Sequence, residues 1–109
     1  MNSFTHDLGV TGRADITRLL DAASDPTRLE IVFLLAREQR LNVGEIATRF
    51  PKISRPAVSH HLRVLKDAGA IRSDKVGQEV FYFLDRTRTV DGLRQLAASI
   101  EACCPPDST

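Results

Sequence analysis

Ser59, His60, Arg63 and Lys66 place four hydrogen-bond donors within eight residues, two of them cationic at any physiological pH. Between and around them Val58, Leu62 and Leu65 recur at spacings of four and three, which marks a single buried stripe on a helix. Val64 and Ala68 flank that stripe, and the donors fall mainly on the opposite side. Ser54 is a good N-cap, Pro56 suits a first helical turn and Gly69 stands where a stop is expected. A helix with such a face suits the major groove of DNA, where base edges and phosphates both accept hydrogen bonds. A second pair with chemical potential is Cys103-Cys104. Adjacent Cα atoms are about 3.8 Å apart, below the roughly 4.4 Å that a disulfide usually needs, so a bond between neighbours would be strained. Two vicinal thiolates are instead good ligands for a soft, thiophilic ion such as trivalent arsenic, trivalent antimony or copper(I).

The formal charge of +1 hides an uneven distribution. Residues 49–88 carry nine Lys/Arg against four Asp/Glu, whereas residues 1–48 carry five against seven and residues 89–109 one against three. The positive field is thus concentrated on the donor-bearing helix and the strand-like segment after it. Most charge clusters are only solvated surface; the coincidence with the helix pattern favours binding here.

Positioning these residues takes a small set of elements. The chain of 109 residues is long enough for one modest core. A hydrophobic share of 42% and a charged share of 27% are those of an ordinary soluble globule. No apolar run approaches the roughly 18 residues of a membrane span, and MNSFTHDLGVTGR lacks the pattern of a secretory signal. A cytoplasmic protein without a membrane partner is the expectation.

Residues 1–12 read as a flexible arm, 13–104 as the folded domain and 105–109 as a disordered tail. The first helix is expected from Arg13 to Ala23, with Ile16, Leu19, Leu20 and Ala23 on one side. Asp25-Pro26 restarts the chain as a second helix reaching about Arg37, whose stripe is Leu29, Val32, Phe33 and Ala36, widened by Ile31, Leu34 and Leu35. Asn42 and Glu45 resemble a capping box for a third helix ending near Phe50, before Pro51. The donor-bearing helix is the fourth. Ala70–Ser73 and Glu79–Leu84 are strand-like, with Phe81 and Phe83 on one face and Val80, Tyr82 and Leu84 on the other. Asp74–Gln78 forms a polar turn between them. After a polar connection, Asp85–Thr89, a last helix is expected from Val90 to about Cys104, with Leu93, Leu96, Ala97 and Ile100 as its stripe.

This order, α-α-α-α-β-β-α, describes a mainly α winged helix-turn-helix with a small β-hairpin wing. Its three central helices and hairpin close a core by themselves. Ile16, Leu19 and Leu20 at one end, and Leu93, Leu96, Ala97 and Ile100 at the other, can pack on that core or form a dimer interface. Two-fold pairing would set two recognition helices about 34 Å apart, one turn of DNA, and is the preferred reading.

Ser24-Asp25-Pro26-Thr27-Arg28-Leu29-Glu30-Ile31, Glu45-Ile46-Ala47 and Ser54 through Gly69 resemble the ArsR/SmtB-type family of small bacterial winged-helix repressors, with Gly77 and Tyr82 also fitting. The resemblance covers about residues 13–100 and implies a homodimer that occupies an operator over a promoter and leaves when an inducer binds. It nominates Ser54, Arg55, Ala57, Ser59, His60, His61, Arg63 and Lys66 near bases or phosphates, and Lys75 and Gln78 at the wing. His61, beside Leu62, is equally readable as a partly buried residue bonded to the hairpin.

Relatives that bind metal carry a Cys-x-Cys pair on the third helix or Asp and His on the last. This chain has Val43, Gly44 and Glu45 at the first place, and Asp91 and Glu101 with no His at the second. Cys103 and Cys104 remain as the candidate inducer site. No third Cys exists, so a partner subunit or an exogenous thiol would have to complete a three-thiolate site. The same pair could respond to oxidation, or be an inert helix end. A protein-interaction module on the same fold is the reading from another class. No catalytic set or Gly-rich phosphate loop supports an enzyme.

Overall fold

The starts of the four helices that follow the first are each fixed by a side chain that satisfies a backbone N–H otherwise left without a partner. A computed structural model describes residues 13–103. Helix α1 spans Arg13–Ala23, and α2 spans Pro26–Glu38 behind Asp25, whose carboxylate accepts from the Arg28 N–H at 3.0 Å. A two-residue strand β1, Leu41–Asn42, runs into α3, Val43–Thr48. Asn42 and Glu45 form the reciprocal capping box, with bonds of 2.8 and 2.9 Å. Helix α4, Arg55–Asp67, starts at Ser54, whose Oγ accepts from the Ala57 N–H at 3.2 Å. It ends in a Schellman motif: Gly69 has φ +82°, its N–H donates to Lys66 O, and the Ala70 N–H donates to Leu65 O.

Strands β2, Ile71–Val76, and β3, Glu79–Leu84, form the wing. Their register pairs Ile71 with Leu84 and Val76 with Glu79, leaving Gly77-Gln78 as a two-residue turn. Gly77 has φ +65° at the first turn position, as a II′ hairpin requires. Strand β1 adds to the other side of β3, Leu41 opposite Tyr82, so the sheet order is β1-β3-β2. Helix α5, Arg86–Cys103, returns along α1.

The core is built from Ile31, Leu35, Ile46, Val58, Leu62, Leu65 and Ile71, all essentially inaccessible. Tyr82 and Leu84 pack against it, while Phe81 and Phe83 face the other side beneath the Arg40 guanidinium, 5.4 and 6.0 Å from the ring centres. The alternation expected for that strand therefore holds.

Several expectations are corrected. The buried face of α2 is Ile31, Leu34 and Leu35, whereas Leu29 and Phe33 are exposed, Phe33 by 48%. A helix apolar nearly all round lets tertiary contacts decide which residues turn inward. In α1 the buried set is Ile16, Leu19 and Ala22, and Leu20 faces out. Helix α3 stops at Thr48 and not near Phe50; the Phe50 N–H closes a turn onto Ala47 O. Strand β2 reaches Val76 because the turn takes only two residues, which places Asp74 and Lys75 in the strand. Helix α5 begins four residues before Val90, capped by Asp85, whose Oδ1 accepts from the Arg88 N–H at 3.0 Å. Arg86-Thr87-Arg88-Thr89 has no apolar residue to announce a helical stripe. The expected arm and tail, and Cys104, lie outside the described residues.

Candidate nucleic-acid interface

Helix α4 owes its place to Val58, Leu62 and Leu65, which are sealed into the core. That anchoring turns Arg55, Ser59, His60, Arg63 and Lys66 outward, and all five are exposed. Arg55, Ser59, Arg63 and Lys66 succeed one another at intervals of four, four and three, a single strip about 16 Å long at 1.5 Å per residue. Ala57 is half-buried, and Ser54 is exposed with its oxygen accepting the capping bond, so its O–H remains the donor. The Arg55 guanidinium lies over the start of α3; a Cβ on Gly44 would sit 3.7 Å from it. Helices α3 and α4 are thus in contact across the tight turn of a helix-turn-helix.

Several cations elsewhere on the surface are paired with carboxylates. Arg40 is bound to Asp74 at 3.2 Å, Arg49 to Glu38 at 3.5 Å, and both Arg18 and Arg88 to Asp15 at 3.9 and 3.7 Å. Among the described residues no carboxylate forms a salt bridge with Arg55, Arg63, Lys66 or Lys75. Exposed cations without acidic partners are available to an anionic surface.

Lys75 and Gln78 are exposed on the wing, Lys75 within β2 opposite Val80 and Gln78 in the turn itself. Two cations that sequence reasoning did not single out, Arg72 and Arg88, join Lys66 around a shallow hollow of about 490 Å³ between the end of α4 and the start of α5. The exposed alternation of Arg72 and Asp74 on an edge strand was the signal for the first; Arg88 sits in the helix start that the sequence did not show.

His61 differs from its neighbours. It is half-buried, and its Nδ1 lies 3.3 Å from an Arg28 terminal nitrogen. Its partner is on α2 and not on the hairpin. The Asp25 carboxyl, at the same helix start, is held below the usual carboxylate range, chiefly by the Arg28 backbone N–H and also by the nearby Arg28 and His61 side chains.

The terminal helices carry the other candidate surface. Ile16 and Leu19 are already buried within the one chain. Leu20, Leu93 and Ile100 are 41%, 50% and 55% exposed, and Ala97 is also exposed. Ile16, Leu20, Leu96 and Ile100 line an open groove of about 430 Å³ between α1 and α5. Cys103 is the last residue of α5. Among the described residues no cluster of three or more His, Cys, Asp or Glu has the arrangement of a metal site, and no helix is long and apolar enough to cross a membrane.

Comparison with known proteins places this arrangement. The family model described as "Bacterial regulatory protein, arsR family" matches residues 25–73, from the α2 cap into the first strand of the wing. The transcriptional repressor SdpR of Bacillus subtilis is 38% identical over 78 residues, covering 72% of this chain and 84% of that protein. The cadmium resistance transcriptional regulatory protein CadC homolog of Staphylococcus aureus is 35% identical over 85 residues, covering 78% of this chain and 69% of that one. Among solved structures, an ArsR-like transcriptional regulator from Rhodococcus sp. RHA1 superposes with a TM-score of 0.69 at 30% identity, over 85% of this chain and 95% of the other.

Proposed function

Since this chain belongs to the arsR family of bacterial regulatory proteins, which are DNA-binding transcriptional regulators and not enzymes, we propose that it is a homodimeric repressor that reads an operator through α4 and the wing. The observation that carries this reading is the strip of exposed, acid-free donors from Arg55 to Lys66 on a helix whose other face is locked in the core. Arg55 and Arg63 can each donate to a guanine edge or a phosphate, and Ser59 and His60 can serve either. Ser54 and Ala57 stand where the helix start meets the DNA backbone. Lys66 extends the strip, and Lys75 and Gln78 reach backbone or minor groove from the wing.

Dimerisation is supported by the exposed Leu20, Leu93, Ala97 and Ile100, which a second copy would bury. Two-fold pairing would present two reading helices to successive major grooves about 34 Å apart. An inducer bound at Cys103 and Cys104 would act on this contact, because Cys103 ends the helix that carries Leu96 and Ile100. Two thiols suit trivalent arsenic, antimony or copper(I), with the third donor supplied by the partner subunit or a small thiol. Oxidation of the same thiols is the variant signal, visible as an intersubunit disulfide on a non-reducing gel.

Fluorescence anisotropy on the DNA upstream of the protein's own gene tests the reading. Specific binding should weaken steeply as salt rises. Arsenite should release the wild type and leave a double Cys→Ser variant bound. Binding that survives loss of Arg55, His60 and Arg63 would mean a protein-interaction surface in place of a DNA-reading one. Equal responses of the two forms to arsenite would remove the thiol site.

A further inference from the structure

One side chain ties together three helices. The Arg28 Nε donates to the Ala22 carbonyl at the end of α1 at 2.7 Å, while its terminal nitrogen reaches His61 Nδ1 on α4 at 3.3 Å. Its own backbone N–H is held by Asp25 at 3.0 Å, so the base of the side chain is fixed as well as its tip. Arg28 and His61 are both half-buried, and the guanidinium spans the junction of α1, α2 and α4.

A guanidinium has N–H donors and no acceptor. In a hydrogen bond with it, Nδ1 of His61 must therefore be the acceptor, and the imidazole proton sits on Nε2. The contact also fixes where the ring points, because a planar donor fork holds an acceptor in direction as well as distance.

We propose that Arg28 and His61 form a clamp that sets the orientation of the reading helix against α1, and that His61 is a positioning residue and not a contact to DNA. The clamp rests on the reading of α4 as the DNA-binding helix. Its consequence is that the layer bearing the exposed apolar groove and the layer bearing the exposed cations are joined by a directional bond, in addition to core packing. Rotation of α4 relative to α1 would break that bond before it disturbed Val58, Leu62 or Leu65.

Two substitutions of His61 separate the possibilities. In Asn, Oδ1 occupies the place of Nδ1 and can accept from Arg28; in Gln, the amide reaches the place of Nε2 and lacks the nearer acceptor. The clamp predicts that His61→Asn keeps operator affinity near that of the wild type, while His61→Gln and Arg28→Met each lose roughly tenfold, the loss of one charge-assisted bond. The double variant Arg28→Met/His61→Gln should lose no more than either alone. A direct contact to DNA through Nε2 predicts the reverse order, with Gln retained and Asn weakened, and would overturn the proposal. Equal affinities for Asn and Gln, whether both strong or both weak, would overturn it too.

Nitrogen-15 spectra of the imidazoles in the DNA-free protein give a second readout. The wild type should show His61 as the Nε2–H tautomer with its Nδ1 resonance shifted by the bond accepted from Arg28, and Arg28→Met should lose that shift. An unchanged Nδ1 resonance in the variant would end the clamp irrespective of DNA. Absence of specific binding by the wild type, with the Nδ1 shift intact, would count against the operator reading alone.

Discussion

The segment from Leu41 to Leu84 and the two terminal helices treat their apolar side chains in opposite ways. In the former, Ile46, Val58, Leu62, Leu65 and Ile71 are sealed inside, and apart from Val76 and Val80 on the wing its outward surface is polar and cationic. In the latter, α1 gives Ile16, Leu19 and Ala22 to the core, but Leu20, Val90, Leu93 and Ile100 remain on the surface. One region is complete within a single chain and offers charge. The other is incomplete and offers apolar area, as an association surface does. The proposed function assigns them different partners: an anion lattice to the first, a second copy to the second.

The largest expected effect is on the closed side of that comparison. Leu62→Ala should lower unfolding free energy by about 2–5 kcal/mol in denaturant titration, because the site is closed on all sides and cannot refill with water. Replacing both Leu93 and Ile100 by Glu should leave far-UV circular dichroism native while sedimentation shifts from dimer to monomer. A loss of helical signal in that variant would mean that these residues stabilise the single chain.

Gly69 stands where the two regions meet. Its φ of +82° is unfavourable for a residue with a Cβ, and a Cβ there would come within 2.8 Å of the Arg88 Nε on α5. Gly69→Ala should cost about 1–2 kcal/mol, mostly from the left-handed backbone since the Arg88 side chain can move aside. Thermal denaturation would measure it.

On the charged side, Arg63→Ala should weaken operator binding and reduce the slope of log affinity against log salt by about 1 if Arg63 meets a phosphate. A change in preferred base at one position, with the slope unchanged, would assign it to a base edge.

The smallest effect concerns acid. Asp25 has a carboxyl held low in the folded chain, so the stability it contributes is present above its unfolded value, about 3.9, and is lost as pH falls through the lower folded one. Asp25→Asn, which keeps a capping oxygen, should flatten the decline of stability below about pH 4 and change little at neutral pH.

Much of this architecture is legible in the residues alone. Asp25-Pro26, Asn42 with Glu45, and Ser54 with Pro56 carry their own capping chemistry, and all three mark true helix starts. The exposed face of α4 is legible because a 4-3 apolar spacing leaves only one orientation. Strand β1 is invisible in the sequence because two residues cannot show an alternation. The buried side of α2 escapes sequence reasoning because Leu29 and Phe33 are as apolar as Ile31 and Leu35, and the neighbours from α1, α4 and the sheet choose between them. The tie between Arg28 and His61 joins residues 33 positions apart, which no local pattern records.

Selection of bound duplexes from a randomised pool by the purified protein puts the paired reading helices to their sharpest test. Two-fold recognition predicts enrichment of an inverted repeat whose half-site centres lie about 10 base pairs apart, or a multiple of that. A pool that stays random after repeated rounds, or a lone half-site with no partner, would refute it.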